Sequence, residues 1–418
     1  MSLLSRTKKA LSESGISEWR IELSETHSRE YFFVKRELDT RRIKDTEKCA
    51  VTVFRADGDK KGSVKITLIP SMSPAEISSA LSDAYFAASF AMNPGYEQPD
   101  PVRGKKITGK TITEDDEKKM IGALLAEPLD GAFINSAEIF FVTGKKRVIS
   151  SGGTDVSWDV EAVKGEFVAQ CREPEDVEHF EEFEYDVPDE ASLREKTAAA
   201  LRYVKDRAGA AKILKSGKYD VVLCADQLPE ILSYYGSRSS AAMIYPGYSE
   251  WKKGDRVQKK GKGEMLDLTL CAVDPFSPEG IRMKDLPLLR RGILKNIHGA
   301  TRFCRYLGVK PTGDYSKVRC DNPGTLSFEE MKKRPCLVTV SFSDFQADDF
   351  TGNFGGEIRL AYLIDGERVI TVTGGSINGR LPECDSKLEF STDRYRTASY
   401  EGPFAVRVPE VAVAGSGD

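Results

Sequence analysis

Two apolar rhythms divide the chain. Residues 19–26, Trp19-Arg-Ile-Glu-Leu-Ser-Glu-Thr26, alternate apolar and polar positions, and 30–36 resume the pattern after a short polar turn. Residues 49–55 and 62–69 continue it, with Ala56-Asp-Gly-Asp59 as the turn between them. Successive side chains of a strand point to opposite faces, so this rhythm predicts an antiparallel meander with one wet face. At Ser73 the period changes. Ser73-Pro-Ala-Glu76 combines an N-cap, a first-turn proline and a capping-box glutamate, and Ile77, Leu81, Ala84, Tyr85 and Ala88 mark one apolar side. Residues 95–112 read as a polar connection, and a second helix starts at Thr113 with Met120, Leu124 and Leu125 on its buried side. Strands return at 136–142, 146–150 and 165–172. Strands, two helices, then strands predict an α+β domain with helices packed on one face of a sheet.

Residues 176–189 are rich in carboxylates. The period-two placement of Val177, His179, Glu181, Phe183 and Tyr185 favours an edge strand with an acidic wet face over a metal cluster around His179. Residues 188–215 read as a helix with Ala191, Leu193, Ala198, Leu201, Val204, Ala208 and Ala211 on its apolar side. The domain boundary is placed near 190, giving an N-terminal α+β domain (1–190) and a β-rich C-terminal domain with a few helices (191–418). Tyr219-Asp-Val-Val-Leu-Cys-Ala-Asp226 is a buried strand by its short apolar run, and 227–235 form a helix with Pro229 in its first turn. That helix holds no histidine or cysteine. Glu230 near its start reads as a dipole partner, not a catalyst. Further strands are expected at 265–273, 336–342, 357–364, 368–373 and 404–413, with Asp365-Gly366 as a hairpin turn and 286–307 as a long helix-like stretch. Residues 344–356 read as a long polar loop; its aspartates do not follow the calcium-loop pattern.

Composition narrows the function classes. The net charge is -4 with 30% charged residues, so no global field draws the chain to nucleic acid or membrane, and the lysines of 252–262 are diluted by Glu250, Asp255 and Glu264. Residues 1–10 lack a signal peptide's apolar core, which predicts a cytoplasmic protein if the chain begins at its native start. The eight cysteines show no CxxC spacing and several sit in apolar runs, as structural thiols do. His27, His179 and His298 are scattered, so a zinc site would have to be assembled from distant segments.

Several separated segments together resemble the TldD/PmbA family, whose members are labelled modulators of DNA gyrase or peptidase U62. They are Tyr219-Asp-Val-Val-Leu223, residues 275–280, Leu286-Pro-Leu-Leu-Arg-Arg-Gly-Ile-Leu-Lys-Asn296 and Tyr306-Leu-Gly-Val-Lys-Pro-Thr-Gly313. Residues 350–366, Val372-Thr-Gly-Gly-Ser-Ile-Asn-Gly-Arg-Leu381 and Gly402-Pro-Phe-Ala-Val-Arg-Val408 complete the set, and their order is more specific than any one segment. The resemblance implies a zinc peptidase site in TldD-like members, built from HExxxH on the helix after the central strand and a cysteine near the C terminus. Here that helix lacks both histidines, Glu230 lies too early, and residues 396–403 lack the cysteine, with Cys384 the nearest. That is the pattern of the PmbA-like, or TldE-like, branch.

The resemblance therefore implies a subunit without catalytic residues, zinc or other cofactor, and without a direct nucleic-acid or membrane role. It would pair with a TldD-like HExxxH peptidase, or with itself as a dimer, and help to bind peptide. By the same analogy Ser233, Tyr234, Tyr235, Ser237 and Arg238, with Asp344 and Asn353 from the polar loop, would line the peptide cavity; Ser239 and Ser240 serve equally well as local caps. Two other classes stay open. One is a hydrolase with an atypical metal or serine centre, the other a stand-alone peptide-binding homodimer.

Overall fold

The structure, a computed structural model, describes residues 2–107, 109 and 111–417. The fold is α+β, an N-terminal sheet flanked by helices followed by a more β-rich region with fewer helices. Helix α1 (Leu3–Glu13), capped by the Ser2 side chain, precedes the long strands β1 (Glu18–Val34) and β2 (Glu37–Asp57). β3 (Lys60–Leu68), α2 (Pro74–Ala87), β4 (Asn93–Pro94), β5 (Arg103–Ile107) and α3 (Glu114–Leu124) follow. β6 (Ala132–Ser150), β7 (Asp155–Cys171), β8 (Val177–Tyr185) and α4 (Glu190–Ala208) complete this half. The strand order is β4-β3-β2-β1-β6-β7-β5, with β8 also on β7, antiparallel except for β5 against β7. Leu3, Leu11, Ile21, Val51, Ile77 and Leu81 form one core under α1 and α2. Ile139, Phe141, Phe167 and Met120 form a second core with Leu193, Leu201 and Val204 of α4. The capping boxes at Ser73 and Thr113 both form.

Several boundaries differ from those the residue pattern predicts. β1 runs through residues 27–29, where a turn was expected, because cross-strand partners satisfy the polar positions. Thr26 and Thr46 share a 2.5 Å hydrogen bond, and His27 Nδ1 lies 2.7 Å from Asp45. β6 is likewise continuous across 143–145, and β5 arises inside the expected connection. α1 was not foreseen. β8 is the acidic strand, with His179, Phe183 and Tyr185 buried and Glu178, Glu182 and Glu184 exposed. α4 ends at Ala208, and Ala211 instead bridges to Val372.

In the second half β9 (Gly217–Cys224) leads into α5 (Gln227–Arg238) and the short α6 (Ala241–Ile244). Next come β10 (Leu268–Cys271), β11 (Leu286–Arg290), β12 (Ile293–Leu294), α7 (Thr301–Tyr306), β13 (Lys317–Cys320) and α8 (Phe328–Met331). β14 (Cys336–Ala347), β15 (Asn353–Asp365), β16 (Arg368–Val372), β17 (Ser376–Arg380) and α9 (Leu381–Cys384) follow. β18 (Glu389–Phe390), β19 (Arg394–Arg396), β20 (Tyr400–Pro403) and β21 (Ala405–Ala414) end the chain. The pairings β14-β9-β21-β17-β15 return to β14 and close a ring of strands, which removes the sheet edges there. A six-stranded sheet, β12-β11-β10-β13-β20-β19, accompanies it.

The helix expected over 286–307 is a hairpin, β11–β12, and the six-residue α7. Arg291 and Gly292 both have positive φ there, and a Cβ on Gly292 would lie 2.6 Å from Met265 and 2.8 Å from Gln258. Only glycine fits that turn. The strand expected over 265–273 shortens to β10. Among the described residues no helix is long and apolar enough to cross a membrane.

Candidate functional site

The second half of β9, Val221 to Cys224, is buried on both faces, which accounts for its unbroken apolar run. Val221 and Leu223 join the large core that also holds Leu228, Ile231 and Leu232 of α5, while Val222 and Cys224 face a smaller cluster with Met331 and Val338. The chain turns at Ala225, at φ 50°. Gln227 then locks the start of α5: its Oε1 accepts from Cys224 N at 3.1 Å and Thr339 Oγ1 at 2.9 Å, and its Nε2 donates to Thr339 O at 3.3 Å. One buried amide thus ties β9, α5 and β14 together.

α5 presents its polar edge outward and its tyrosines inward. Ser233 is half-buried and donates to Glu230 O at 2.7 Å and Asp349 Oδ1 at 3.1 Å. Tyr234 is 7% exposed and meets Trp251 edge-on at 5.7 Å between centroids. Tyr235 is a core residue, fully buried, giving its hydroxyl to Asp385 Oδ2 at 3.0 Å. Burial pushes the Tyr235 hydroxyl well above its ordinary range and also raises the Asp385 carboxyl. Ser237 and Arg238 are half-buried at the helix end; the Arg238 guanidinium lies 5.6 Å from the Trp251 ring centroid and donates to Tyr248 O.

The expected loop 344–356 is mostly strand. β14 extends through Ala347 and β15 begins at Asn353, so the turn proper is 348–352, held by Asp348, whose carboxylate accepts from Thr351 Oγ1 and Phe350 N at 2.6 and 3.2 Å. Asp344 is therefore an exposed strand residue bonded to Gln346, and Asn353 is the first residue of β15, its carbonyl accepting from Asp348 N at 2.7 Å. The fold brings the 348–352 turn, not Asp344, against α5. Asp349 bonds Ser233, and a Cβ on Gly352 would lie 3.2 Å from the Tyr234 ring.

Sequence reasoning passed over Trp251 and Tyr248; Asp349 and Phe350 lie within the 344–356 loop it assigned to the cavity but were not singled out, and Phe350 forms an exposed pair with Tyr248 (centroids 5.5 Å apart). The isolated Trp251 in a glycine-broken segment was the one available signal. Glu230 lies at the surface with its carboxyl partly shielded from water; that loss of hydration first, then the neighbouring charges of Asp349 and Asp226, raise its pKa.

At the other end of α5, Asp226 accepts from Tyr395 Oη at 2.9 Å and lies 3.4 Å from Lys196 Nζ. Lys196 pairs with Glu181 at 2.6 Å, and Glu181 with His179 at 2.8 Å. This chain of charges links β8, α4, α5 and β19.

The residues do not suit a zinc ion. α5 offers no imidazole, and each histidine is engaged elsewhere: His27 with Asp45, His179 with Glu181, and buried His298 donating through Nε2 to Gly236 O at 2.9 Å. Burial lowers the His298 pKa, which keeps that ring neutral. Among the described residues no group of three or more His, Cys, Asp or Glu side chains is placed to hold a metal.

Residues 216–415 match the family described as PmbA/TldA metallopeptidase C-terminal domain. Over those residues the chain belongs to the TldD/PmbA family. Its α5 carries no HExxxH, the motif that the resemblance implies for TldD-like members. The fold is similar over 99% of the chain to three crystal structures. A candidate modulator of a DNA gyrase from Thermotoga maritima has a TM-score of 0.78 at 16% identity, with 100% of that chain covered. TldE from Thermococcus kodakarensis gives 0.76 at 16%, with 99% covered. A candidate modulator of DNA gyrase from Bacteroides thetaiotaomicron gives 0.74 at 14%, with 98% covered. At such identities the likeness is one of fold. No curated protein sequence matches the chain significantly. The cleft of about 620 Å³ over β1, β2, β6 and β7, lined by Glu25, His27, Asp45 and Asp159 among others, includes no residue of α5.

Proposed function

We propose that the chain is a non-catalytic, cytoplasmic TldE/PmbA-like subunit, dividing near residue 190, that pairs with a TldD-like zinc metallopeptidase and helps to hold its peptide substrate. The observation that carries this reading is α5. It occupies the helix position after the central strand, yet presents serines, an arginine and buried tyrosines where a zinc peptidase needs imidazoles to polarise water. Ser233, Ser237 and Arg238 offer hydrogen-bonding groups along an extended backbone, and the exposed Tyr248–Phe350 pair offers apolar contact beside them. Tyr234 and Tyr235 contribute by packing, with Trp251, under that edge. Asp344 and Asn353 remain at its periphery as exposed polar strand residues.

The test combines the purified chain with a TldD-like HExxxH peptidase and an unstructured peptide. The pair is expected to co-elute and to cleave the peptide faster than the peptidase alone, while the chain alone is inert. Trp251→Ala should weaken peptide binding about ten-fold, the loss of about 1.4 kcal/mol, with co-elution retained. Cleavage by the isolated chain with about one equivalent of zinc would overturn the proposal.

A further inference from the structure

The outward edge of α5 is charged at both ends, and the two ends differ in sign. Asp226, Glu230, Ser233 and Ser237 are spaced by four, three and four residues, which sets them along one stripe of the helix. All four are exposed or half-buried, while Leu228, Ile231, Leu232, Tyr234 and Tyr235 face the core. At the start of the stripe Asp226 is already engaged by Lys196 and Tyr395. Glu230 and Asp349 are not. Asp349 accepts from Ser233 Oγ at 3.1 Å, and among the described residues no cation pairs with either carboxylate.

The far end is basic. Arg238 gives its guanidinium to Tyr248 O and lies beside the Trp251 ring, with no carboxylate among the described residues paired to it. Lys252 and Lys253 follow Trp251 in the chain, exposed and likewise without an ion pair among the described residues. The helix dipole by itself accounts for an acid at the first turn of α5 and a base at its last. It does not account for Asp349, Lys252 and Lys253, which come from other segments and add the same sign at each end. From Glu230 to Arg238 the helix rises about 12 Å, a span that an extended chain covers in three or four residues.

We propose that this edge selects short peptides with both termini free and fixes their direction, the amino end against Glu230 and Asp349 and the carboxyl end against Arg238, Lys252 and Lys253. Ser233 and Ser237 lie between the two ends, where the peptide backbone passes. An ammonium set beside Glu230 supplies the cation that end lacks, and a carboxylate receives charge-assisted hydrogen bonds from Arg238. The inference rests on the peptide-holding role proposed above.

The test is isothermal titration calorimetry of the full chain with the tetrapeptide Ala-Leu-Phe-Ala, each end free or blocked by acetylation or amidation. Each block should weaken binding about five-fold, as expected of partly exposed ion pairs. In the variant Glu230→Gln with Asp349→Asn the cost of acetylation should vanish and that of amidation persist. In Arg238→Gln with Lys252→Gln and Lys253→Gln the pattern should reverse. The blocked peptides probe the unaltered chain, so the direction is tested even where a variant folds poorly. If all four forms bind equally, or if each block responds to the opposite variant, the proposal is overturned while the peptide-holding role stands. It is also overturned if a longer unstructured peptide binds and no tetrapeptide does. Binding of neither overturns both readings.

Discussion

Replacing Lys196 with methionine keeps the side chain's stem and removes its charge from between two carboxylates. Lys196 lies 2.6 Å from Glu181 and 3.4 Å from Asp226, and its side chain and that of Glu181 are only 14% and 20% exposed. Burial by itself would raise the Glu181 carboxyl, but Lys196 and His179 outweigh it and hold the pKa at about 2, against an ordinary 4.5. A carboxyl lowered on folding contributes stability that is fully present above the unfolded pKa and is lost as pH falls through the folded one. That difference, at about 1.4 kcal/mol per pH unit, corresponds to about 3 kcal/mol between pH 4.5 and pH 2. Removing one partner of a buried pair costs about 3–5 kcal/mol, because the remaining charge is left without compensation. Lys196→Met should therefore destabilise the chain by about 3 kcal/mol at pH 7, read from urea unfolding with two probes to detect intermediates in a chain of this length. Below about pH 5 the deficit should shrink, since protonation of the stranded Glu181 relieves it. Adding Glu181→Leu should recover most of the loss. A deficit under about 1 kcal/mol at pH 7, or one that stays constant to pH 4, would refute the argument.

Leu223→Ala removes a fully buried side chain from the strand between β14 and β21, and should cost about 2–5 kcal/mol in the same urea assay; a loss below about 1 kcal/mol would mean that the core there collapses around the gap. All eight cysteines are free, seven of them buried, and burial pushes the half-buried Cys384 thiol up to about 12. At pH 8 an aromatic disulfide reagent should therefore label less than about one thiol per native chain quickly and all eight in denaturant; rapid native labelling of several would contradict the burial.

Local signals were readable where local chemistry decides the outcome. The capping boxes at Ser73 and Thr113, the Asp365-Gly366 hairpin and the alternation of β8 each depend on residues a few positions apart, and each forms where its residues stand. Boundaries failed where a distant partner decided them. Thr46 and Asp45 keep β1 extended through its polar middle. The strand partner β15 draws Asp344 into β14, which turns an expected loop into ladder. Met265 and Gln258 crowd Gly292 until 286–307 becomes a hairpin instead of a helix.

The candidate site divides in the same way. That α5 follows a buried strand and carries no histidine or cysteine is a property of residue identity and order, and the sequence alone determined it. Which α5 side chains face outward was decided by packing: Tyr235, a hydroxyl-bearing residue like its neighbours, is drawn inside because Asp385, 150 positions away, accepts its hydrogen bond in the core. Trp251, Asp349 and the Tyr248–Phe350 pair reach α5 only because separate loops converge on it. Periodicity reports how a residue sits relative to its own element; the meeting of elements far apart in the chain is settled by the burial they achieve together.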